Sequence, residues 1–420
     1  MSEDRLDVEV AIVGAGIAGL AAALAMKKVG IKSIVVVESA AGLRSTGAAL
    51  GLFPNAWRAL DVLGIAHKLI PLYPPLRKFR VTHTSTGETQ EVSLDGAPVL
   101  RGMEVRVVHR RALLESLAEE LPPGTIRFSS KLTSITRQKP TDASSGVILD
   151  LEDGTVIRAK ALIGCDGVHS AVARWLGLST PIDSGRGAVR GLSVYPDGHG
   201  FSSGSQQFLG KNERTGFFPM NDKEIYWFIT RRSNPSDKDM AKEPDLILKN
   251  VTETMAKGFP PAFRDVVNHS ELSTVSWAPL KFRLPWDVVV GPTHRGSVAV
   301  AGDAMHPMTP DLGQGGCAAL EDAVVLGRNI AATLHIDGSV DAEKVERCLD
   351  DFVRERRWRA AGLIAGAYVS GRIQQGGSGW WESAVKFIRD GAFYRYMFPR
   401  IVSSVVGYDC GPLPITLVPA

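Results

Sequence analysis

Apolar residues run almost without a break through 8–13, stop at a glycine turn over 14–19, return in an alanine-rich stretch at 20–29 and again in the β-branched run 33–37, which ends in Glu38. Short apolar runs bounded by turn residues predict buried strands, and the longer stretch between them predicts a helix, so this segment reads as one βαβ unit. From 71 to 98 the pattern shifts to Thr, Ser and Gly with alternating apolar positions, which predicts antiparallel hairpins inserted into the first domain. The parallel fold is expected to resume near Val105. Residues 109–120 carry helical amphipathic spacing, 147–156 a hairpin around Asp153-Gly154, and 159–164 another buried strand that runs into CDGVHS at 165–170. Between about 186 and 282, short strands rich in Tyr, Trp, Phe and Gly predict an antiparallel substrate domain with one helix at 243–257. A strand at 298–301 then leads through GDAMHPMTPDLGQGG at 302–316 to a helix at 317–334, completing the first domain late in the chain. Amphipathic helices are expected at 340–367 and 380–389, separated by the flexible GRIQQGGSG at 371–379.

Composition narrows the class. The chain has 420 residues, 44% hydrophobic and 22% charged, which fits a globular protein of two packed domains, or of one domain with large insertions, and excludes a disordered or fibrous one. Its 48 Lys and Arg against 45 Asp and Glu give a net charge of +3, scattered without a basic run, so nucleic acid is excluded as the expected partner. The cysteines Cys165, Cys317, Cys348 and Cys410 form no CxxC pair, so neither a metal site nor a disulfide framework is predicted. No stretch has the length and apolarity of a transmembrane segment, and no charged n-region precedes an apolar core. The expectation is a soluble, intracellular, cytoplasmic protein.

The strongest chemical signal is GAGIAG. Gly14 permits the tight turn, Gly16 lets backbone approach a pyrophosphate, and Gly19 lets helix and strand pack closely, with Ile17 and Ala18 opening the helix whose positive end meets the phosphates. The preceding strand, the following helix and Glu38 about 20 residues on all match this fingerprint. A carboxylate there accepts from both ribose hydroxyls and repels a 2′-phosphate, favouring FAD or NAD over NADP at this site. Arg44 either faces the pyrophosphate or is merely exposed.

Three motifs in order, GAGIAG at 14–19, CDGVHSAVAR at 165–174 and GDAMHPMTPDLGQGG at 302–316, make nearly the whole chain resemble the single-component FAD-dependent aromatic-hydroxylase family of monooxygenases, with salicylate hydroxylase-like and plant-type members. Supporting stretches lie at 47–65 and 109–117. The resemblance implies an α/β fold: a Rossmann-like FAD-binding domain from 1–70, 99–185 and 283–345, an inserted mixed-sheet substrate domain from 71–98 and 186–282, and a C-terminal helical region at 346–420. It further implies that Asp166 and Gly167 serve FAD and the transient passage of NAD(P)H, that Asp303 accepts a bond from the flavin's ribityl chain, and that Arg110, with Arg44 more weakly, contacts FAD; the adjoining Arg111 leaves the choice of arginine open. Pro310, Gly313, Gln314, Gly315 and Gly316 open a helix whose N–H groups would stabilise negative charge on reduced flavin, and a side chain would obstruct that approach.

The activity so implied is hydroxylation of an electron-rich, aromatic or phenolic small molecule with NAD(P)H and O2, through a flavin hydroperoxide, the cofactor carrying the reactive centre. No second GxGxxG for a nicotinamide cofactor follows, as in this family. No catalytic side chain is assigned; Pro310 and His306 are the nearest candidates, and for His306 a packing or hydrogen-bonding role is the preferred reading. Candidate substrate residues are Arg190, Tyr195, Gln207, Phe217, Tyr226 and Trp227. The motifs also accommodate an oxidase or reductase that only makes peroxide, an epoxidase acting on an isoprenoid, and a redox-sensitive flavoprotein that binds a partner.

Overall fold

The computed structural model describes residues 5–43, 49–96, 100, 103–138, 146–210, 212–235, 237, 241, 243–375 and 398–414. Two large sheets organise the chain. In the first, the order is β16 (His294–Arg295), β17 (Val298–Val300), β10 (Val156–Gly164), β1 (Arg5–Val13), β2 (Ile34–Val37) and β7 (Ile126–Arg127), with β9 (Val147–Leu151) and β8 (Leu132–Arg137) added antiparallel beside β10. Strands β17, β10, β1, β2 and β7 are mutually parallel, and the inner ones are apolar on both faces because helices cover both sides. The second sheet has the order β15 (Ser276–Phe282), β11 (Ile182–Val194), β14 (Glu224–Arg232), β13 (Glu213–Pro219), β12 (Gly204–Leu209), β4 (Lys78–His83) and β5 (Thr89–Ser93). Every pair in it is antiparallel except β12 with β4, so the sheet is mixed.

The described helices are α1 (Ile17–Lys28), α2 (Pro54–Val62), α3 (Ala66–Leu69), α4 (Arg110–Ala118), α5 (Ala171–Leu176), α6 (Pro244–Asn250), α7 (Pro261–Asn268), α8 (Pro285–Val289), α9 (Gly315–Ala331), α10 (Ala342–Gln375) and α11 (Phe398–Val406). Among them none is long and apolar enough to cross a membrane. Helix α1 is buried from Ile17 to Met26 and lies between the first sheet and α9. Its run of alanines brings backbone close to backbone: at Gly19 a Cβ would stand 1.9 Å from the Gly14 carbonyl oxygen, and at Gly14, with φ of +104°, 2.5 Å from that of Cys165.

Four expectations need correction. The parallel fold does not resume at Val105: β6 (Arg106–His109) pairs antiparallel with β3 (Ala49–Leu52) in a separate ribbon, and the main sheet continues only at β7. The segment expected as one helix at 243–257 is helical throughout but changes type: α6 ends at Asn250 and passes into a π turn at Val251–Met255, where the Thr252 hydroxyl donates to the carbonyls of Leu248 and Lys249, both at 3.1 Å, and then into a 3₁₀ turn at Ala256–Gly258. Helix α7 was not anticipated in a segment read as strands, although Pro261 starts it and Phe263, Val266 and Val267 form its buried face. Finally, α10 runs through 371–375, which had been read as flexible; Gly371 is required there because a Cβ would fall 2.3 Å from Asp311 Oδ2. The helix expected at 380–389 lies outside the described residues.

Helices α9 and α10 are joined by charge. Arg356 is fully buried, its Nε donating to Asp322 (2.6 Å) and its Nη2 to Glu321 (2.7 Å), while Arg359 donates to both oxygens of Glu321. Burial alone would raise both carboxyls, yet the arginines, and His306 beside Asp322, outweigh it and hold both below the usual range. Arg356→Ala leaves two buried carboxylates short of their counterion and is expected to cost about 3–5 kcal/mol of stability, whereas the exposed Arg111→Ala is expected to leave the unfolding midpoint close to that of the parent. Denaturant unfolding of both variants checks this, and equal midpoints would contradict it.

Candidate functional site

One face of the second sheet and the loops and helix starts of the first domain enclose a cavity of about 420 Å³. One wall is built from Ile17 at the start of α1, Leu50 on β3 with Phe53 just after that strand, Arg110 on the first turn of α4, and Asp303, Pro310, Gly313, Gly315 and Gly316 from the glycine-rich loop. The opposite wall is one face of the second sheet, with Arg190, Gln207, Arg214, Phe218, Tyr226, Phe228 and Thr230.

The loop wall exposes backbone by construction. Neither α1 nor α9 has a side chain capping its N-terminus, so first-turn N–H groups remain available to a ligand. Gly16 differs from its two partners in the motif, since a Cβ there would meet nothing within 4 Å; the space it spares lies outside the protein's own packing. At Gly315 a Cβ would reach only ordinary contact, 3.9 Å from Asp303 Oδ1 and Met308. Ala18 is buried against the loop, where a Cβ on Gly302 would approach it to 2.7 Å. Glu38 closes β2, nearly buried, its two oxygens accepting the N–H groups of Ala15 and Ala40, each at 2.9 Å. These features fit an FAD molecule running from Glu38, past Gly16, into the cavity. Arg44 lies outside the described residues.

Asp303 is accessible from the cavity although protein surrounds it on all other sides. That enclosure pushes its carboxyl above the ordinary range, opposed by His306 and Arg110. Asp166 precedes a 3₁₀ turn at Gly167–His169 and caps α5, accepting from the Ser170 hydroxyl and from the N–H groups of Ala171 (2.6 Å) and Val172 (3.3 Å). Gly167 has φ of +78°, and this turn packs on the turn carrying Asp303. Gln314 points away from the cavity, its side-chain oxygen accepting from Asn55 at 2.9 Å. His306 is fully buried, Nε2 donating to Asp322 at 2.5 Å, and does not line the cavity; burial would depress its pKa, but Asp322 outweighs that and raises it. It anchors the loop rather than meeting a reactant.

Of the six candidate substrate residues, Arg190, Gln207 and Tyr226 line the cavity; Tyr195, Phe217 and Trp227 do not. The last three pack on the reverse face of the same sheet against α6 and α7, Tyr195 donating to Asp265 (2.9 Å) and the Trp227 indole to Ser270 (2.9 Å). Side chains alternate across a strand, so Tyr226 and Trp227 were bound to part company. Sequence reasoning missed Phe228, two residues beyond Tyr226, which the same period would have found, and Arg214 and Asp311, which only the tertiary structure unites. Asp311 is buried and accepts two bonds from Arg186 (3.1 and 2.7 Å) and one from Arg214 (3.4 Å), while Arg214 also donates to Gln207 (3.0 Å) and lies over the Phe228 ring. Tyr226 is pushed up by burial, with Arg190 and Arg214 opposing.

Comparison with known proteins agrees with this geometry. A family model described as an FAD binding domain matches residues 7–367. Monooxygenase 2 of Arabidopsis thaliana is 37% identical over 422 residues, covering 98% of this chain and 99% of that protein. The FAD-dependent urate hydroxylase of Klebsiella pneumoniae is 29% identical over 349 residues, or 82% of this chain and 86% of its own. Among solved structures, Klebsiella pneumoniae HpxO complexed with FAD and uric acid superposes with a TM-score of 0.80 at 26% identity, covering 97% of this chain and 98% of that one. A salicylate hydroxylase substrate complex shares the fold, with a TM-score of 0.72 at 21% identity over 98% of this chain and 97% of that one. The chain therefore belongs to the FAD-binding-domain family, as an FAD-dependent monooxygenase of the aromatic-hydroxylase type.

Proposed function

We propose that this monooxygenase takes electrons from NAD(P)H and uses O2 to hydroxylate an electron-rich aromatic molecule with an acidic group. The observation that carries the reading is a single cavity with both parts: loop residues that would hold FAD on one wall, and on the other an aromatic surface with a guanidinium, Arg190, that makes no hydrogen bond or ion pair among the described residues. The named substrates of relatives, uric acid and salicylate, are planar and acidic, and a pocket of this chemistry suits them.

Bound FAD supplies the redox chemistry that activates oxygen. The chain's residues do the rest. Backbone N–H groups at the start of α1 would hold the pyrophosphate past Gly16, Glu38 the adenosine ribose and Asp303 the ribityl hydroxyls. The start of α9 at Gly315 would stabilise negative charge on the flavin ring. Arg190 and Tyr226 would orient the substrate, and Leu50, Phe53, Phe218 and Phe228 would exclude water that otherwise lets peroxide escape.

Gly16→Val is expected to fold, since a Cβ there meets no protein atom within 4 Å, yet to purify without flavin. Asp303→Ala should weaken FAD binding roughly tenfold to a hundredfold, through the loss of a charged hydrogen bond of about 1.5–3 kcal/mol. Circular dichroism with flavin content checks both, and a yellow, fully loaded Gly16→Val protein would mean that the turn is misassigned.

The activity itself is tested by NADH and NADPH consumption with aromatic acids, polycyclic phenols and isoprenoids, peroxide being measured in the same wells. Stimulation by an aromatic acid with little peroxide and a hydroxylated product is the expected result. Reductant appearing wholly as peroxide would sink the hydroxylase reading.

A further inference from the structure

The strand register of the second sheet gives the cavity wall a direction. One row across it reads Arg190 on β11, Phe228 on β14, Gly216 on β13, Gln207 on β12, Val81 on β4 and Gln90 on β5. The neighbouring row on the same face continues from Tyr226 through Phe218 and Ser205 to Phe79 and Val92. Charged side chains on this wall, Arg190 and Arg214, are confined to β11 and β13, whereas the β4–β5 end presents Phe79, Val81 and Val92, extended by Leu76, Leu94 and Leu100.

With about 4.8 Å between neighbouring strands, Arg190 and Val81 stand four steps apart, roughly 19 Å at the backbone. A single-ring acid held at Arg190 therefore ends near the middle strands and leaves the hairpin end unfilled. Gly216 itself is covered, for a Cβ there would fall 2.6 Å from the Gln206 carbonyl oxygen, 3.0 Å from Gln207 Cγ and 3.1 Å from the Phe228 ring; between the two ends the cavity is lined instead by the neighbouring row, Tyr226, Phe218 and Phe79. Val92 both lines the cavity and is 44% exposed, which places the open end at the edge strand β5.

We infer that the cavity takes an elongated amphiphile, an aromatic hydroxy acid whose anionic end sits at Arg190 and whose aliphatic or second-ring extension runs along Phe218 and Phe79 to the β4–β5 hairpin and out past Val92. This rests on the proposed function for the acidic aromatic head and adds the extension. The polarity gradient sets the sense of binding: an anion at the inner end meets Arg190, whereas the reverse orientation would lay an apolar chain against that guanidinium and leave it without a counterion.

Calorimetric titration of the FAD-loaded protein with salicylate, butylsalicylate and octylsalicylate, in the absence of nicotinamide, tests it. The octyl compound should bind roughly a hundredfold or more tighter than the parent, since each fully buried methylene contributes up to about fourfold. Val92→Asp should remove most of that gain. Arg190→Met should weaken all three compounds by a common factor of about ten. Affinities independent of chain length, absence of binding by any member, or a chain-length gain that survives Val92→Asp would each overturn the inference. Because no turnover is involved, chain-dependent binding without hydroxylation would count against the proposed reaction alone. Hydroxylation of the parent acid with chain-independent binding would count against the extension alone.

Discussion

Two adjacent carboxylates in the middle of a buried helix, Glu321 and Asp322, hold the glycine-rich loop 302–316 in place. Asp322 accepts the N–H of Gly302 at 2.8 Å, the Nε2–H of His306 at 2.5 Å and the Nε–H of Arg356 at 2.6 Å; Glu321 accepts from Asn55 at 2.6 Å, and Asn55 also holds Gln314. Both ends of the loop 302–316 are thus tied to one point on α9, and through Arg356 to α10. Buried charges are stabilising only where geometry and additional hydrogen bonds offset their desolvation, and here each carboxylate is met from several directions. The loop's backbone, rather than its side chains, is what such anchoring can present to a cofactor.

A second buried carboxylate cluster joins the halves of the site. Asp311 sits in the loop but receives Arg186 from β11 and Arg214 from β13, so the sheet bearing the aromatic wall is bound directly to the loop bearing the glycines. At the opposite edge, the Tyr73 hydroxyl meets His109 Nδ1 at 3.0 Å and His109 Nε2 lies 3.3 Å from Glu224, linking the residue before α4 to β14. The cavity is therefore bounded by elements that cannot drift apart without breaking charged contacts. That rigidity suits a site in which two reactants must be held in a fixed mutual orientation.

What could be read from the chain alone were the features whose cause is local. The spacing of Gly14, Gly16 and Gly19 follows from one turn and one helix, and the apolar strands around it follow from burial on both faces. The face on which a residue lies in the second sheet was also local information, yet choosing Tyr226 and Trp227 together, or Phe217 without Phe218, ignored the period of two. Arg214, Asp311 and the Asn55–Glu321 contact were beyond reach for a different reason: their partners are separated by 97, 125 and 266 positions, and no periodicity joins them. The π turn after α6 likewise depends on one hydroxyl competing for helix carbonyls, which composition does not signal.

The loop wall and the sheet wall enclose one cavity, so a ligand bound against the sheet would lie beside the residues proposed to hold the flavin. The most direct test is the visible spectrum of the holoprotein titrated with a hydroxybenzoate, alongside calorimetry of the same titration. A shift of the flavin bands that saturates with the calorimetric isotherm, and that moves to higher ligand concentration in Arg190→Met, is the predicted result. Heat of binding with an unchanged flavin spectrum would place the ligand elsewhere and contradict the account.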